Sequence, residues 1–159
     1  GVSSAASDVY KRQEIITEAS HKVIVFAPFR HSIETIMREL NKEGITCEAI
    51  NGDVSMNKRT DIFKRFQETK DPRVLVIQPQ AASHGVTLHS ANVAVFWSPV
   101  MSVETYIQCC ARIDRAGQKN HMTIVHIQGS PVERRIYHML QNKIDIHTKL
   151  VDLYRDEIE

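Results

Sequence analysis

Several residue types that mark specialised classes of protein are scarce in this chain. Its 159 residues hold 6 glycines and 5 prolines, too few for a collagenous or low-complexity chain. No apolar run is long enough to span a membrane and no secretory leader is recognisable, so we expect a cytoplasmic protein. Three cysteines without C-x-x-C spacing support neither a disulfide framework nor a zinc site.

The residues that are present favour one globular domain. Hydrophobic residues make up 42% of the chain, which is enough for a single core at this length. The 20 Lys and Arg residues nearly balance the 19 Asp and Glu residues, and the net charge is +1. Because overall charge supplies no attraction to nucleic acid, any contact with nucleic acid must be local.

The N-terminal segment looks foreign to the rest of the chain. Residues 3–13, SSAASDVYKRQ, resemble the translation of a transposase-type sequencing-library adapter. We therefore treat residues 1–13 as non-native and exclude them from the fold. The domain is expected to occupy residues 14–159, and the natural reading frame is expected to be interrupted near Glu14.

Short apolar runs alternate with helical apolar stripes along the chain. Strands are predicted at 22–29, 46–50, 73–78, 92–97 and 122–128. Helices are predicted at 33–40, 56–68 and 103–115, and from Pro131 towards Tyr154 as two helices broken near Asp145. This alternation predicts an α/β fold with a mostly parallel sheet of about five or six strands. In such sheets the loops after the strands share one functional edge, here after Phe29, Ile50, Gln78 and Trp97.

Three polar residues share one face of the third predicted helix. Gln108, Arg112 and Arg115 stand at positions i, i+4 and i+7. Two arginines one turn apart can donate a fan of charge-assisted hydrogen bonds to phosphoryl oxygens. A solvated basic face balanced by Asp114 fits the same spacing, so the spacing alone leaves both interpretations open.

A set of ordered motifs resembles a known family. The sequence QCCARIDRAGQ at 108–118 resembles the last conserved motif of superfamily 2 helicases and translocases, and its closing Gly-Gln is typical of the Swi/Snf-like branch. AASHGVTL at 81–88 resembles the preceding motif, and VFWSP at 95–99 resembles the strand and turn between the two. KVIVFAPF at 22–29 and AINGDVSMNKR at 49–59 resemble the earlier motifs of the same lobe. The chain therefore resembles a C-terminal RecA-like lobe, a three-layer sandwich, of bacterial or phage type.

The resemblance implies roles in nucleotide binding. Arg112 and Arg115 would reach the γ-phosphate of ATP, with Arg115 as the arginine finger, while Gln108 would help to hold their helix face. Gly85 and His84 would approach the nucleotide from the preceding loop, because glycine allows close approach of the backbone.

The resemblance also implies contacts to the phosphates of one DNA strand, independent of base sequence. These contacts would come from Pro28, Phe29, Arg30, Asn51, Gly52, Asp53, Gln80, Ala81 and Ala82. Where many members of the family have a hydroxyl and a further glycine, this chain has Ala81, Ala82 and Ser83, so the phosphate contact there is in question.

Two elements that ATP hydrolysis needs are not found in the sequence. It contains neither a G-x-x-x-x-G-K-[ST] phosphate loop nor an acidic pair for Mg²⁺, and no metal site is predicted in this lobe. In the family these elements belong to the first RecA-like lobe, which would hold most of the ATP and Mg²⁺. We therefore expect the chain alone to be inactive as an ATPase.

The sequence thus predicts the second motor lobe of an ATP-dependent DNA translocase or helicase, with DNA and a first RecA-like lobe as its partners. One alternative is an RNA helicase lobe of the same superfamily, although many of those continue with Arg after the glycine. A second alternative is a stand-alone binding module without catalysis. A pure scaffold has no physical need for Gln108, Arg112 and Arg115 on one helix stripe.

Overall fold

The computed structural model of the chain describes residues 22–83, 87–113, 123–143 and 149–155. Its strands are β1 (Lys22–Phe26), β2 (Cys47–Ile50), β3 (Val74–Ile77), β4 (Ala91–Phe96), β5 (Thr123–Gln128) and β6 (Lys149–Tyr154). Its helices are α1 (Arg30–Lys42), α2 (Met56–Glu68), α3 (Val103–Ala111) and α4 (Pro131–Gln141), with a 3-10 helix at Pro79–Ser83. The predicted α/β class is confirmed.

The six strands form one sheet in the order β2-β3-β1-β4-β5-β6, and every neighbouring pair is parallel. Parallel strands need crossover connections, and right-handed crossovers set the face on which each helix packs. From β1 the chain moves outward to β2, then reverses its direction across the sheet. Helices therefore lie on both faces, and each face has its own core.

Alternating side chains of the strands supply these two cores. On one face Phe26, Phe96 and Leu75 pack against apolar residues of α2, α3 and α4. On the other face Val23 and Val25 pack against the buried stripe of α1, which consists of Ile33, Ile36 and Leu40. Trp97 packs against the second core.

Serine side chains begin three of the helices. The Oγ atoms of Ser55, Ser102 and Ser130 accept hydrogen bonds from the backbone N–H groups three residues later, at 3.2 to 3.3 Å. Ser102 and Ser130 are therefore the N-caps of α3 and α4.

The C-terminal prediction is wrong. Residues 149–154 form strand β6, which pairs with β5 along its whole length, and not the end of a second helix. Leu150 and Leu153 have a spacing that also fits a helix, but Leu150 is 40% exposed while Leu153 is buried. Their opposite burial follows the alternation of a strand, and the hydrogen bonds offered by β5 decide between the two patterns.

The remaining sequence features have simple structural counterparts. Cys109 and Cys110 are buried in α3, Cys47 is half-buried, and all three are free thiols. Among the described residues no cluster of His, Cys, Asp and Glu could hold a metal ion. In the same part of the chain, no helix has the length and apolar character needed to cross a membrane.

A buried histidine links the sheet to two of the helices. His126 of β5 is 2% exposed and stacks on the ring of Tyr137, with centroids 4.2 Å apart. Its Nε2 lies 2.8 Å from the hydroxyl of Tyr106, which donates to Oε1 of Gln141. The pKa of His126 is lowered to about 4, mainly by burial and to a smaller extent by nearby His138, although the Asp152 carboxylate at 3.3 Å opposes the shift.

This shift predicts a loss of stability in acid. The unfolded chain binds a proton at His126 near pH 6.5, whereas the folded chain resists it until about pH 4. The free energy of unfolding should therefore fall by roughly 2 to 3 kcal/mol as the pH falls through this window. Urea unfolding at several pH values measures the slope, which His126→Gln should flatten and His31→Gln, at an exposed histidine, should not. Equal slopes in the wild type and His126→Gln would contradict the assignment.

Candidate nucleotide and nucleic-acid site

The loops that follow β1, β2 and β3 meet at the carboxyl edge of the sheet. Gln78 ties them together: its backbone N–H donates to the carbonyl of Ile50 at 2.8 Å, and its Nε2 donates to the carbonyl of Pro28 at 3.1 Å. Just below, the N–H of Ala27 donates to the carbonyl of Ile77 at 3.0 Å. The three predicted nucleic-acid segments, 28–30, 51–53 and 80–82, are therefore neighbours.

An ion pair crosses this edge. Nη2 of Arg30 lies 2.6 Å from Oδ2 of Asp53, and the two side chains are 60% and 69% exposed. Phe29, which precedes Arg30, is exposed, and so is Gly52. The edge therefore presents charged and aromatic groups of two different loops to solvent.

An arginine that the sequence analysis did not single out holds the loop after β2. Arg59 of α2 donates from Nε to the carbonyl of Val54 at 3.0 Å and from Nη2 to the carbonyl of Asn51 at 3.1 Å. Within the loop, Oδ1 of Asn51 accepts from the N–H of Asp53 at 2.9 Å. These bonds fix the position of Asp53 relative to the sheet.

In the third loop, two of the predicted contact residues do not present their side chains to solvent. Ala81 and Ala82 are both buried, and their 3-10 helix packs against α3. Their methyl groups face the core, so nucleic acid can meet only their main-chain atoms, whereas the neighbouring Gln80 is exposed. The absence of a hydroxyl here, noted from the sequence, therefore coincides with inward-facing side chains.

The same loop is pinned again where it reaches β4. Gln67 of α2 donates to the carbonyl of Thr87 at 3.1 Å, and its Oε1 accepts from the N–H of Ser90 at 3.0 Å. The N–H of Leu88 donates to the carbonyl of Arg112 at 2.6 Å. The segment 78–90 therefore begins at the carboxyl edge of the sheet and ends against the C-terminus of α3.

The end of α3 carries the described part of the arginine motif. The helix predicted to continue to about Arg115 ends at Ala111, because its last turn tightens and the N–H of Ile113 donates to the carbonyl of Cys110. Arg112 keeps helical backbone angles as the C-cap, and its Nε lies 3.4 Å from the carbonyl of Gln108. Arg115, Gly85 and His84 lie outside the described residues.

The side chains of Gln108 and Arg112 are suited to bind phosphate, but they do not form a single centre with the edge of the sheet. Gln108 and Arg112 are half-buried, and no side-chain acceptor among the described residues contacts the terminal nitrogens of Arg112. A guanidinium and an amide match the charge and geometry of phosphate oxygens, so the residues present fit part of a triphosphate site. Arg112 contacts Leu88, which precedes the start of β4, whereas Arg30 and Asp53 pair at the carboxyl edge of the sheet.

A crevice of about 380 Å³ opens where the direction of chain progression across the sheet reverses, between β1 and β4. Its walls come from the loops after β1, β3 and β4 and from the first turns of α3 and α4. Two exposed apolar side chains, Phe29 and Met101, line it. Beside it Glu133 pairs with Arg155 at 3.2 Å, and Arg155 also donates to the carbonyl of Trp97 at 2.6 Å.

Comparison with known proteins identifies the family of this fold. Residues 9–117 match the family described as the helicase conserved C-terminal domain. The chain belongs to this family. The lobe also shares its fold with the C-terminal part of the Fun30 ATPase domain, with a TM-score of 0.74 and 19% identity over 87% of this chain and 46% of that one. The recognition made from the sequence and the RecA-like architecture are thereby confirmed.

Curated relatives of the helicase lobe include a chromatin-related protein and an RNA helicase. It is 30% identical over 126 residues to the SWI/SNF-related matrix-associated actin-dependent regulator of chromatin subfamily A-like protein 1 homolog of Caenorhabditis elegans. That match covers 79% of this chain and 18% of the relative. An ATP-dependent RNA helicase, DBP3 of Candida glabrata, is 27% identical over 70% of this chain and 20% of its own length. The helicase lobe therefore spans about a fifth or less of these relatives.

Four residues that shape the helicase lobe escaped the sequence analysis: Arg59, Gln67, Gln78 and Arg155. Each side chain binds main-chain carbonyl groups of a different loop. Because every residue has a carbonyl group, the sequence does not identify these partners. For two of them, the sequence offered one sign of a structural role, which was a polar residue next to a buried position. Gln67 directly follows the buried Phe66, and Gln78 directly follows the buried strand β3. An exposed turn residue is also ordinary after a strand, so this sign did not distinguish Gln78.

Arg59 offers a test of how the helicase lobe holds its edge. Arg59→Ala removes two hydrogen bonds to carbonyl groups, and we expect a loss of about 1 to 3 kcal/mol in the free energy of unfolding. Arg38→Ala, at an exposed arginine of α1, is the control and should cost much less stability. Urea denaturation compares the two, and amide hydrogen exchange at residues 51–54 should speed up in Arg59→Ala alone. Equal losses of stability in the two variants, together with unchanged hydrogen exchange at residues 51–54, would show that Arg59 does not hold this loop.

Proposed function

We propose that this chain is the second motor lobe of an ATP-dependent DNA translocase or helicase. In this role Arg115 is the arginine finger, Arg112 is a second γ-phosphate contact, and Gln108 supports their helix face. The carboxyl edge of the sheet holds the phosphates of one DNA strand through residues 28–30, 51–53 and 80–82. ATP and Mg²⁺ are bound mainly by a first RecA-like lobe, and their hydrolysis requires both lobes.

The observation that carries this proposal is a set of contacts that links the loops at the carboxyl edge of the sheet to α3. Gln78 binds Pro28 and Ile50 in the loops proposed to hold nucleic acid, and the 3-10 helix that follows it, Pro79–Ser83, packs against α3. A displacement of α3 can therefore be passed through this 3-10 helix to the edge of the sheet. A motor lobe needs such a connection, because closure of the cleft on ATP must change its grip on the strand.

The choice of DNA over RNA rests on the Swi/Snf-like motif ending and on the chromatin-related relative. The RNA helicase relative keeps RNA as the competing ligand. Stimulation of ATP hydrolysis by duplex DNA, but not by single-stranded RNA, is expected of the motor in which this lobe is joined to its first lobe. The reverse preference would assign the lobe to an RNA helicase.

Arg115→Ala in the joined enzyme tests the arginine finger. Removal of a finger that stabilises the transferring phosphoryl group should lower kcat by about 10³-fold. The KM for ATP and the affinity for DNA should stay within about 3-fold, because the first lobe supplies most ground-state contacts to ATP. Arg135→Ala, at an exposed arginine of α4, is the matched control and should leave kcat unchanged. Wild-type turnover in Arg115→Ala would remove the assignment.

A further inference from the structure

One charged residue at the carboxyl edge of the sheet opposes the proposed binding of nucleic acid. Arg30 is the first residue of α1 and is a cation proposed to meet a phosphate. The structure shows it engaged with Asp53, with Nη2 and Oδ2 at 2.6 Å. A carboxylate and a phosphate are alternative partners for the same guanidinium, because both present paired anionic oxygens to its planar donors.

The backbone that carries this carboxylate is held in place by its own loop. The N–H of Asp53 is bound by Asn51, and Arg59 fixes the carbonyls of Asn51 and Val54 from the side of α2. Asp53 therefore does not depend on Arg30 for its position. Both side chains stay more than half exposed, so a strand arriving at this edge can reach the guanidinium directly.

We propose that Asp53 is a built-in competitor of the nucleic-acid phosphate for Arg30. The inference rests on the proposed function of this edge and adds a residue that weakens its grip. Binding of a strand exchanges the carboxylate for a phosphate, after which Asp53 faces solvent and takes up a counterion. The exchange lowers the affinity and makes it less sensitive to salt, which suits a lobe that must release and rebind its track.

A double-mutant cycle with the 159-residue chain tests this competition. The probe is a fluorescently labelled duplex of mixed sequence, and its anisotropy is measured from low to moderate NaCl. Asp53→Asn should tighten binding by about 3- to 10-fold and steepen the slope of log K against log salt by up to about 0.9, the value for one counterion. Arg30→Ala should weaken binding, and in that background Asp53→Asn should change the affinity by less than about 2-fold.

Asp61→Asn is the matched control. It makes the same change in net charge and removes one carboxylate partner of Arg65 on α2, whereas Arg65 keeps its ion pair with Glu48. It should leave the affinity within about 2-fold of the wild type, because its partner is not proposed to meet phosphate. Thermal unfolding followed by circular dichroism checks that each variant is folded.

The outcomes separate the inference from the proposed function. Binding that Arg30→Ala weakens and Asp53→Asn leaves unchanged overturns the competition and retains the nucleic-acid edge. The competition is also overturned if Asp61→Asn tightens binding as much as Asp53→Asn does, or if Asp53→Asn has its full effect without Arg30. A folded chain that binds no duplex at the lowest salt in any variant overturns the proposed edge and the competition together.

Discussion

The candidate site depends on one geometric constraint, which is that every neighbouring pair of strands in the sheet is parallel. Parallel pairing brings the ends of β1, β2 and β3 to one edge, although their loops are more than 20 residues apart in the chain. Gln78 then connects these loops directly, because it binds the carbonyl groups of Pro28 and Ile50. In an antiparallel sheet the same three loops would alternate between opposite edges.

A second consequence of the topology is the separation of the two candidate binding places. The helix α3 starts at the carboxyl end of β4 and delivers Arg112 beside Leu88, close to the start of that strand. The described nucleotide candidates, Gln108 and Arg112, therefore lie apart from the proposed nucleic-acid contacts, and the segment 78–90 has one end at each place. This separation fits the proposed motor, in which two ligands occupy different surfaces and influence one another through the lobe.

Much of the fold could be predicted from the sequence because each central strand is a continuous apolar run buried on both faces. Where pattern alone was ambiguous, the prediction failed: Leu150 and Leu153 fit a helix until β5 supplies the hydrogen bonds that make β6 a strand. The neighbouring loops of the site could be predicted from topology. The hydrogen bonds of Arg59 and Gln67 could not, because their partners are carbonyl groups, which every residue possesses.

The most direct test of the proposed site is a titration of the ¹⁵N-labelled chain with a short DNA duplex, followed by amide chemical shifts. Our account predicts that the large changes concentrate at residues 28–30, 51–53 and 78–82, with smaller ones spreading along the segment towards Leu88 and Arg112. Saturating DNA that instead perturbs mainly the exposed face of α4, or that leaves the three loops unchanged, would contradict the assignment of this edge to nucleic acid.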